Sequence, residues 1–314
     1  MFTLFLPGLE RRLPDAAAVA PELLRLLARG SSHALAVSPW QYLAGLAAGD
    51  AERWPVGPVS AAAELASPPR ACLRAEPLGA DPDRHGMLRL PAAHLGVTRE
   101  EAEALAAAFE REFASDGLRL AVATAQRWYL GWEEMAGAGR SWRGFEGPSH
   151  ALPEDARPAP PEPELRRLLS ELELLFHAHP VNATRRAHGD PGIAGLHAWG
   201  GGVLHDPLPP AGHAPAEEPY LAGLRLLGAA PGKGVPGWTG QDAPAEGIAW
   251  PLAELAFDAT AVASITAEWV MPLAERLRRS ELAGIRIVSG ARVHEVRRLD
   301  LLKFWRRTGR VAAC

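Results

Sequence analysis

A run of five mostly apolar residues, FTLFL at positions 2–6, is stopped at once by Pro7 and Gly8. The run is too short for a helix and has the composition of a buried strand. The next patterned segment, DAAAVAPELLRLLARG, carries Leu23, Leu24, Leu26 and Leu27 on one side, with Gly30 placed as a C-cap. Strand, turn and helix in this order are the opening of an α/β domain. A Trp/Pro-rich stretch to about Pro69 reads as loop and short helix.

From Arg70 the texture changes. ACLRAEPL, GMLRLP, LRLAVAT and RWYLGW read as four strands with partial alternation. Among them TREEAEALAAAFEREF reads as a helix opened by a Thr98/Glu101 capping box. PEDARPAPPEPE, residues 153–164, carries five prolines and reads as a linker. After it, Leu165, Leu168, Leu169, Leu172, Leu175 and Phe176 recur at helical spacing. IAGLHAW reads as a strand ending at Gly200, PYLAGLRLLG as another short element, and IRIVSG as a strand. ATAVASITAEWVMPLAERLRRS reads as a long helix bent at Pro272. The pattern predicts an α/β core formed by 1–69 plus 190–314, interrupted by a smaller α+β insert at 70–189.

Charge and cysteine content restrict the setting. The formal net charge is -4, so no global field draws nucleic acid or anionic lipid, and neither a membrane nor a nucleic acid is expected as partner. Only the tail is basic: seven Arg/Lys from Arg292 to Arg310 face Glu295 and Asp300, with Phe304 and Trp305 between them. A solvated terminal helix accounts for that composition. Cys72 and Cys314 can build neither a disulfide framework nor a Cys-based zinc site, which suits a reducing compartment. The start, MFTLFLPGLERRLP, lacks the basic n-region of a signal peptide, and no apolar stretch reaches the roughly 18 residues of a membrane span. A cytoplasmic protein is expected.

The stretch richest in chemistry is HPVNATRRAHGDPGIAGLHAWGGG, residues 179–202. His177, His179, His188, His197, His205 and His213 supply six of the eleven histidines within a short span, which raises a metal site as one reading. His177 and His179 are two apart on a helix and face different ways, and no H-E-x-x-H occurs, so surface and capping histidines are the other reading. A helical turn after Pro180 would put Asn182, Arg185 and Arg186 on one face, where paired guanidinium groups can grip a phosphate or carboxylate. Gly200, Gly201 and Gly202 after a strand could let backbone N–H groups approach the same anion. His205 and Asp206 form the one adjacent acid–histidine pair of this span and complete the candidate ligand-binding set. GKGVPG at 232–237 satisfies G-x-G-x-x-G, but Pro236 and the 31 glycines favour chance. Ser38 and Ser67 each precede proline and show no base partner.

The same stretch resembles a segment of the archaeal-type, cofactor-independent phosphoglycerate mutases, with Asn182 and Arg185 at an Asn-x-x-Arg run and Gly200 to Gly202 at a Gly-rich loop. PELLRLLARG is similar to that family's Pro-x-Leu-x-x-Leu-Ala-x-x-Gly helix. LRAEP, ADPDR, RWYL, HPVN, WGGG and a C-terminal FWRR resemble a set of shorter bacterial relatives, the RpfE-type proteins. The resemblance implies an alkaline-phosphatase-like core sheet with helices on both faces. It also implies two divalent metals that activate a phosphoryl-accepting Ser. Three departures stand against that chemistry. Pro7 occupies the position of the metal-binding Asp, no Gly-Ser-Asp nucleophile motif follows the first helix, and only Asp258, His294 and Asp300 are left in the C-terminal part. The expectation is therefore a degenerate mutase-like protein, leaning away from an enzyme and needing no cofactor. It would be regulatory, binding a small phosphorylated or anionic ligand or a protein partner. The alternative is a metal-dependent phosphotransferase or hydrolase with ligands relocated around His197, His205 and Asp206. A third reading is a partner-binding module built on the ten tryptophans and the basic tail.

Overall fold

The computed structural model describes residues 1–10, 13, 20–37, 39–48, 53–83, 86–90, 92–133, 140–145, 147–148, 161–205, 218–227, 239–249, 251 and 259–306. The elements begin with β1 (Phe2–Phe5), α1 (Pro21–Arg29), β2 (Ser31–Ala34), α2 (Pro39–Ala48), α3 (Val56–Glu64), β3 (Ala71–Asp83) and β4 (Gly86–Leu90). They continue with α4 (Arg99–Phe113), β5 (Leu118–Val122), β6 (Trp128–Trp132), α5 (Pro163–Ala178), α6 (Pro180–His188), β7 (Ile193–Val203) and α7 (Pro219–Leu226). Last come β8 (Gly247–Ala249), α8 (Ala259–Ile265), α9 (Met271–Arg278), β9 (Ile285–Val288) and β10 (Arg292–Val296). The class is α/β, as expected. The chain divides into two compact units, one of Met1–Ala51, Pro215–Glu218 and Gly228–Cys314, the other of Glu52–Ala214 and Pro219–Leu227. The second unit is thus larger than the 70–189 insert read from the sequence: it takes in α3, β7 and α7.

In the first unit the strands run β2-β10-β9-β1-β8. β1 is parallel to both β8 and β9, while β10 is antiparallel to β9 and β2. β1 is buried along its whole length because both of its faces are covered. Phe2 and Leu4 join Leu23, Leu24 and Leu27 of α1 and Val262, Trp269, Leu273 and Leu277 of the long C-terminal helix, and Phe5 packs edge-on against Trp40 of α2. Each such fully buried side chain contributes roughly 1.5–3 kcal/mol.

At Pro272, where a bend was expected, the helix changes its hydrogen bonding. A π-helical turn, Thr266–Val270, joins α8 to α9 immediately before the proline. Pro272 has no N–H to offer the Glu268 carbonyl, and the Gly240 N–H takes that carbonyl instead at 2.8 Å. A Cβ on Gly240 would stand 2.3 Å from the Trp269 oxygen, so only glycine fits there. Gly30 is the C-cap of α1, as expected, its N–H donating to the Leu26 carbonyl, though its backbone is extended, with φ -73, rather than left-handed; a Cβ there would meet the Glu295 oxygen at 2.4 Å. One expectation is corrected in this unit: the basic tail is no helix at its start, since residues 292–296 form β10.

The second unit holds an antiparallel sheet in which β3 carries β6 and β4 on one edge and β7 on the other. One face bears Leu73, Ala75, Trp128, Leu130, Trp132 and Ala198, packed with Leu105 and Phe109 of α4 and Leu165, Leu172 and Phe176 of α5. The Thr98/Glu101 capping box opens α4 as predicted. The other face is unlike it: Cys72, Arg74 and Glu76 alternate along β3, beside Tyr129 on β6, and all four are buried.

Candidate functional site

α6 is where the sequence placed an anion grip. It starts on Pro180, capped by His179, whose Nδ1 accepts from the Val181 N–H, and it ends at Gly189 with φ +81. The helix divides the expected set. Asn182 and Arg185 point inward and are buried, whereas Arg186 is exposed. The two arginines therefore do not form a fork, because adjacent helical positions diverge by about 100°.

The inward pair is occupied by the fold itself. The Asn182 amide donates to the Phe176 and Ile193 carbonyls at 2.7 and 2.8 Å and accepts from the Ile193 N–H at 2.8 Å. Arg185 donates from Nε to the Pro191 carbonyl at 2.7 Å, from Nη1 to Glu101 at 2.8 Å, and from Nη2 to the Leu95 carbonyl. Glu101 is the capping-box residue of α4, so one carboxylate both starts that helix and anchors α6 to it.

Nor do the three glycines form an anion cradle. They continue β7, and Gly202 pairs with Cys72. The Gly201 N–H donates to the Arg143 carbonyl at 3.0 Å. A Cβ on Gly201 would fall 2.1 Å from the Trp142 oxygen; on Gly200, where φ is +64, it would fall 2.8 Å from Val56 Cβ, and on Gly202 2.6 Å from Pro55 Cβ. Close backbone packing requires these glycines.

The histidines are not gathered. His177, His188 and His205 are exposed, and Asp206 and His213 lie outside the described residues. His197 is buried, with Nε2 at 2.7 Å from the Gly147 carbonyl and its ring stacked on Phe145. The relocated ligand set of His197, His205 and Asp206 is thus not assembled among the described residues. GKGVPG and Ser38 also lie outside them.

Sequence reasoning missed two polar groups. In the second unit, Glu64 at the end of α3 receives Nε of Arg127 at 2.6 Å, a second bond from Arg127 Nη2, and the Tyr129 hydroxyl. Burial first, and Glu64 second, push the Tyr129 hydroxyl well above its usual range. Beside it, the Arg74 guanidinium lies over the Trp199 ring at 5.1 Å, and Trp199 Nε1 donates to Glu76 at 3.0 Å. Charged residues at alternate positions of β3, with apolar ones between, were the available signal.

In the first unit the group stands at the carboxyl edge of the parallel strands, where α/β sheets take their ligands. Ser289, just after β9, is fully buried, and its hydroxyl lies 2.8 Å from Glu10 and 3.2 Å from His294 Nε2. The Ser289 carbonyl accepts from the Gly8 N–H at 3.1 Å, which ties the turn after β1 to the turn after β9. Gly8 and Gly290 both need positive φ, +94 and +144, to make these turns. Burial, then Arg292 and His33, lower the His294 pKa to about 4, so the ring is neutral at neutral pH. With the Ser289 proton directed to Glu10, His294 donates from Nε2, and its buried Nδ1 meets no hydrogen-bond donor among the described residues. The Ser289 hydroxyl is thus held by its neighbours, with Glu10 its nearer acceptor and the Arg292 carbonyl a second at 3.3 Å. No sequence signal joins residues 279 positions apart.

No family model and no curated protein matches the chain. Among solved structures it is similar to a cofactor-independent phosphoglycerate mutase from Thermoplasma acidophilum DSM 1728, at 18% identity over 94% of this chain and 88% of that one, with a TM-score of 0.34. It is also similar to the PH0037 protein from Pyrococcus horikoshii, at 14% identity over 94% and 86% of the two chains, with a TM-score of 0.45. Likeness at this depth assigns the chain to no family.

Proposed function

We propose that this chain is a phosphoglycerate-mutase-like protein that works by binding rather than by phosphoryl transfer, in a regulatory role toward a protein partner or a phosphorylated ligand. The supporting observation is the carboxyl edge of the parallel strands. β1 leaves the sheet through Leu6, Pro7, Gly8 and Leu9, all buried, where the mutase resemblance implies a metal-binding Asp. The two divalent metals of that resemblance do not fit here. Proline carries no donor atom, and Glu10 and His294 fall short of three or four convergent ligands. Among the described residues no group of three or more His, Cys, Asp or Glu could hold a metal ion. The polar side chains that remain at the edge, Ser289 and His294, are buried, with the Ser289 hydroxyl bonded to Glu10 and His294.

Turnover is the direct test. Purified protein supplied with manganese or cobalt and either phosphoglycerate isomer is expected to give no interconversion and no phosphate release above a metal-only control. Turnover that follows protein concentration and disappears in Ser289→Ala would overturn the proposal. A rise in melting temperature with phosphorylated three-carbon acids, absent with their unphosphorylated forms, would identify the ligand arm of the role.

A further inference from the structure

We infer that residues 297–306 form a docking surface for an anionic lipid bilayer. Four of the eight large apolar side chains exposed among the described residues fall within seven positions: Leu299 (75%), Leu302 (65%), Phe304 (79%) and Trp305 (65%). The other four, Val37, Leu174, Leu226 and Met271, are scattered along the chain and are of the ordinary isolated kind.

The segment is held inside out. A 3-10 turn, Arg298–Leu302, is closed by Asp300, which accepts from the Arg297 N–H at 2.8 Å and from Lys303 Nζ at 2.5 Å. Leu301 packs on the core of the first unit, and Arg306 donates to the Arg29 and Gly30 carbonyls at 3.2 and 2.6 Å, anchoring the end of the turn to α1. Leu301 and Arg306 therefore face the protein while Leu299, Leu302 and the two aromatics are exposed. Phe304 and Trp305 meet edge to face at 5.3 Å, a rigid pair with one side in solvent.

The surroundings select the occupant. Arg297, Arg298, Lys303 and Arg306 flank the apolar residues along the chain, with Arg297 and Arg298 exposed and Asp300 the one acid between 297 and 306, and Arg307 and Arg310 follow in the sequence. Leu, Phe and Trp beside arginines are the composition of a segment lying at a headgroup boundary. Cations there gain from the potential of an anionic leaflet. A bilayer needs no matching pocket. Whole-chain charge, from which no membrane partner was expected, averages over this segment and hides it.

Cosedimentation of the full chain with vesicles tests the inference. Vesicles with about a third phosphatidylserine are expected to bind the protein, phosphatidylcholine alone at least roughly ten-fold more weakly, and salt to release it within a Debye-length dependence. Phe304→Ala/Trp305→Ala is expected to lower binding roughly ten-fold or more with the melting temperature unchanged, since neither side chain supports the core. Arg297→Gln/Arg298→Gln should weaken binding to the anionic vesicles alone. Equal binding to both vesicle types, or binding indifferent to both variants, would overturn it. So would loss of self-association, or of oligonucleotide binding, as the sole effect of the aromatic variant.

Discussion

The two sheets treat polar side chains in opposite ways. The antiparallel sheet of the second unit and its helices bury Arg74, Glu76, Arg127, Asn182, Arg185 and His197. The first unit buries Thr3, Thr266, Ser289 and His294, none of them charged at neutral pH, and among the described residues one acid, Glu218. A buried ion adds net stability only when its partners are well placed, and removing one partner of such a set leaves a costly charge behind. The second unit therefore depends on its polar residues for its fold. In the first, the fold rests mainly on apolar packing of β1, α1 and the long C-terminal helix, with Ser289 and His294 at one edge of the sheet. The sequence stretch richest in arginine and histidine belongs to the unit in which polarity is structural.

Arg185→Ala breaks that comparison most severely. It removes donors from the Leu95 and Pro191 carbonyls and from Glu101 together. The expected loss is about 3–5 kcal/mol, read as a lower denaturant midpoint with unchanged binding of phosphorylated acids per folded molecule. A variant with the wild-type midpoint and no such binding would make Arg185 a ligand residue after all. Gly201→Ala follows, at roughly 3 kcal/mol, because its Cβ has no space beside the Trp142 oxygen. An unchanged midpoint there would show that the end of β7 yields freely, as a ligand loop must.

His294 sharpens the other side of the comparison through pH. Its folded pKa of about 4 lies below the ordinary 6.5, so the unfolded chain takes up the proton first as pH falls. The stabilisation is complete above about pH 6.5 and is lost progressively toward pH 4, by about 3 kcal/mol. His294→Gln should flatten the midpoint-against-pH curve over that window. A variant that titrates like the parent would assign the acid sensitivity to other groups.

Elements whose pattern is local were legible in the sequence. FTLFL forms β1, the Thr98/Glu101 pair opens α4, and the leucines from Leu165 to Leu172 face inward on α5. Short edge elements were not: SSHA forms β2 with all four residues exposed, and GIA forms β8, neither with a period to detect. IAGLHAW was legible as a strand but not as a partner of β3, because alternation says which face a residue takes and nothing of the neighbouring strand. The site divides in the same way. Asn182 and Arg185 stood out by their capacity for hydrogen bonds, yet the groups that use it are backbone carbonyls of Leu95, Phe176, Pro191 and Ile193, which leave no mark in a sequence.

The smallest effect is the most discriminating. Arg186 adjoins Arg185 in the chain but is exposed, so Arg186→Ala should change stability by no more than about 0.5 kcal/mol. Its neighbour's loss is set by the fold, whereas anything lost here is set by solvent-facing chemistry. Of the inward and outward cations of α6, only the outward one can meet a ligand without first unmaking the helix anchor. Isothermal titration of the parent and of Arg186→Ala with a phosphorylated three-carbon acid separates the cases. Equal affinity, with equal midpoints, leaves the polarity of this unit wholly structural. Weaker affinity at an unchanged midpoint would return a binding role to α6, carried by its exposed arginine alone, and the contrast between the two units would then hold for buried residues but not for the surface.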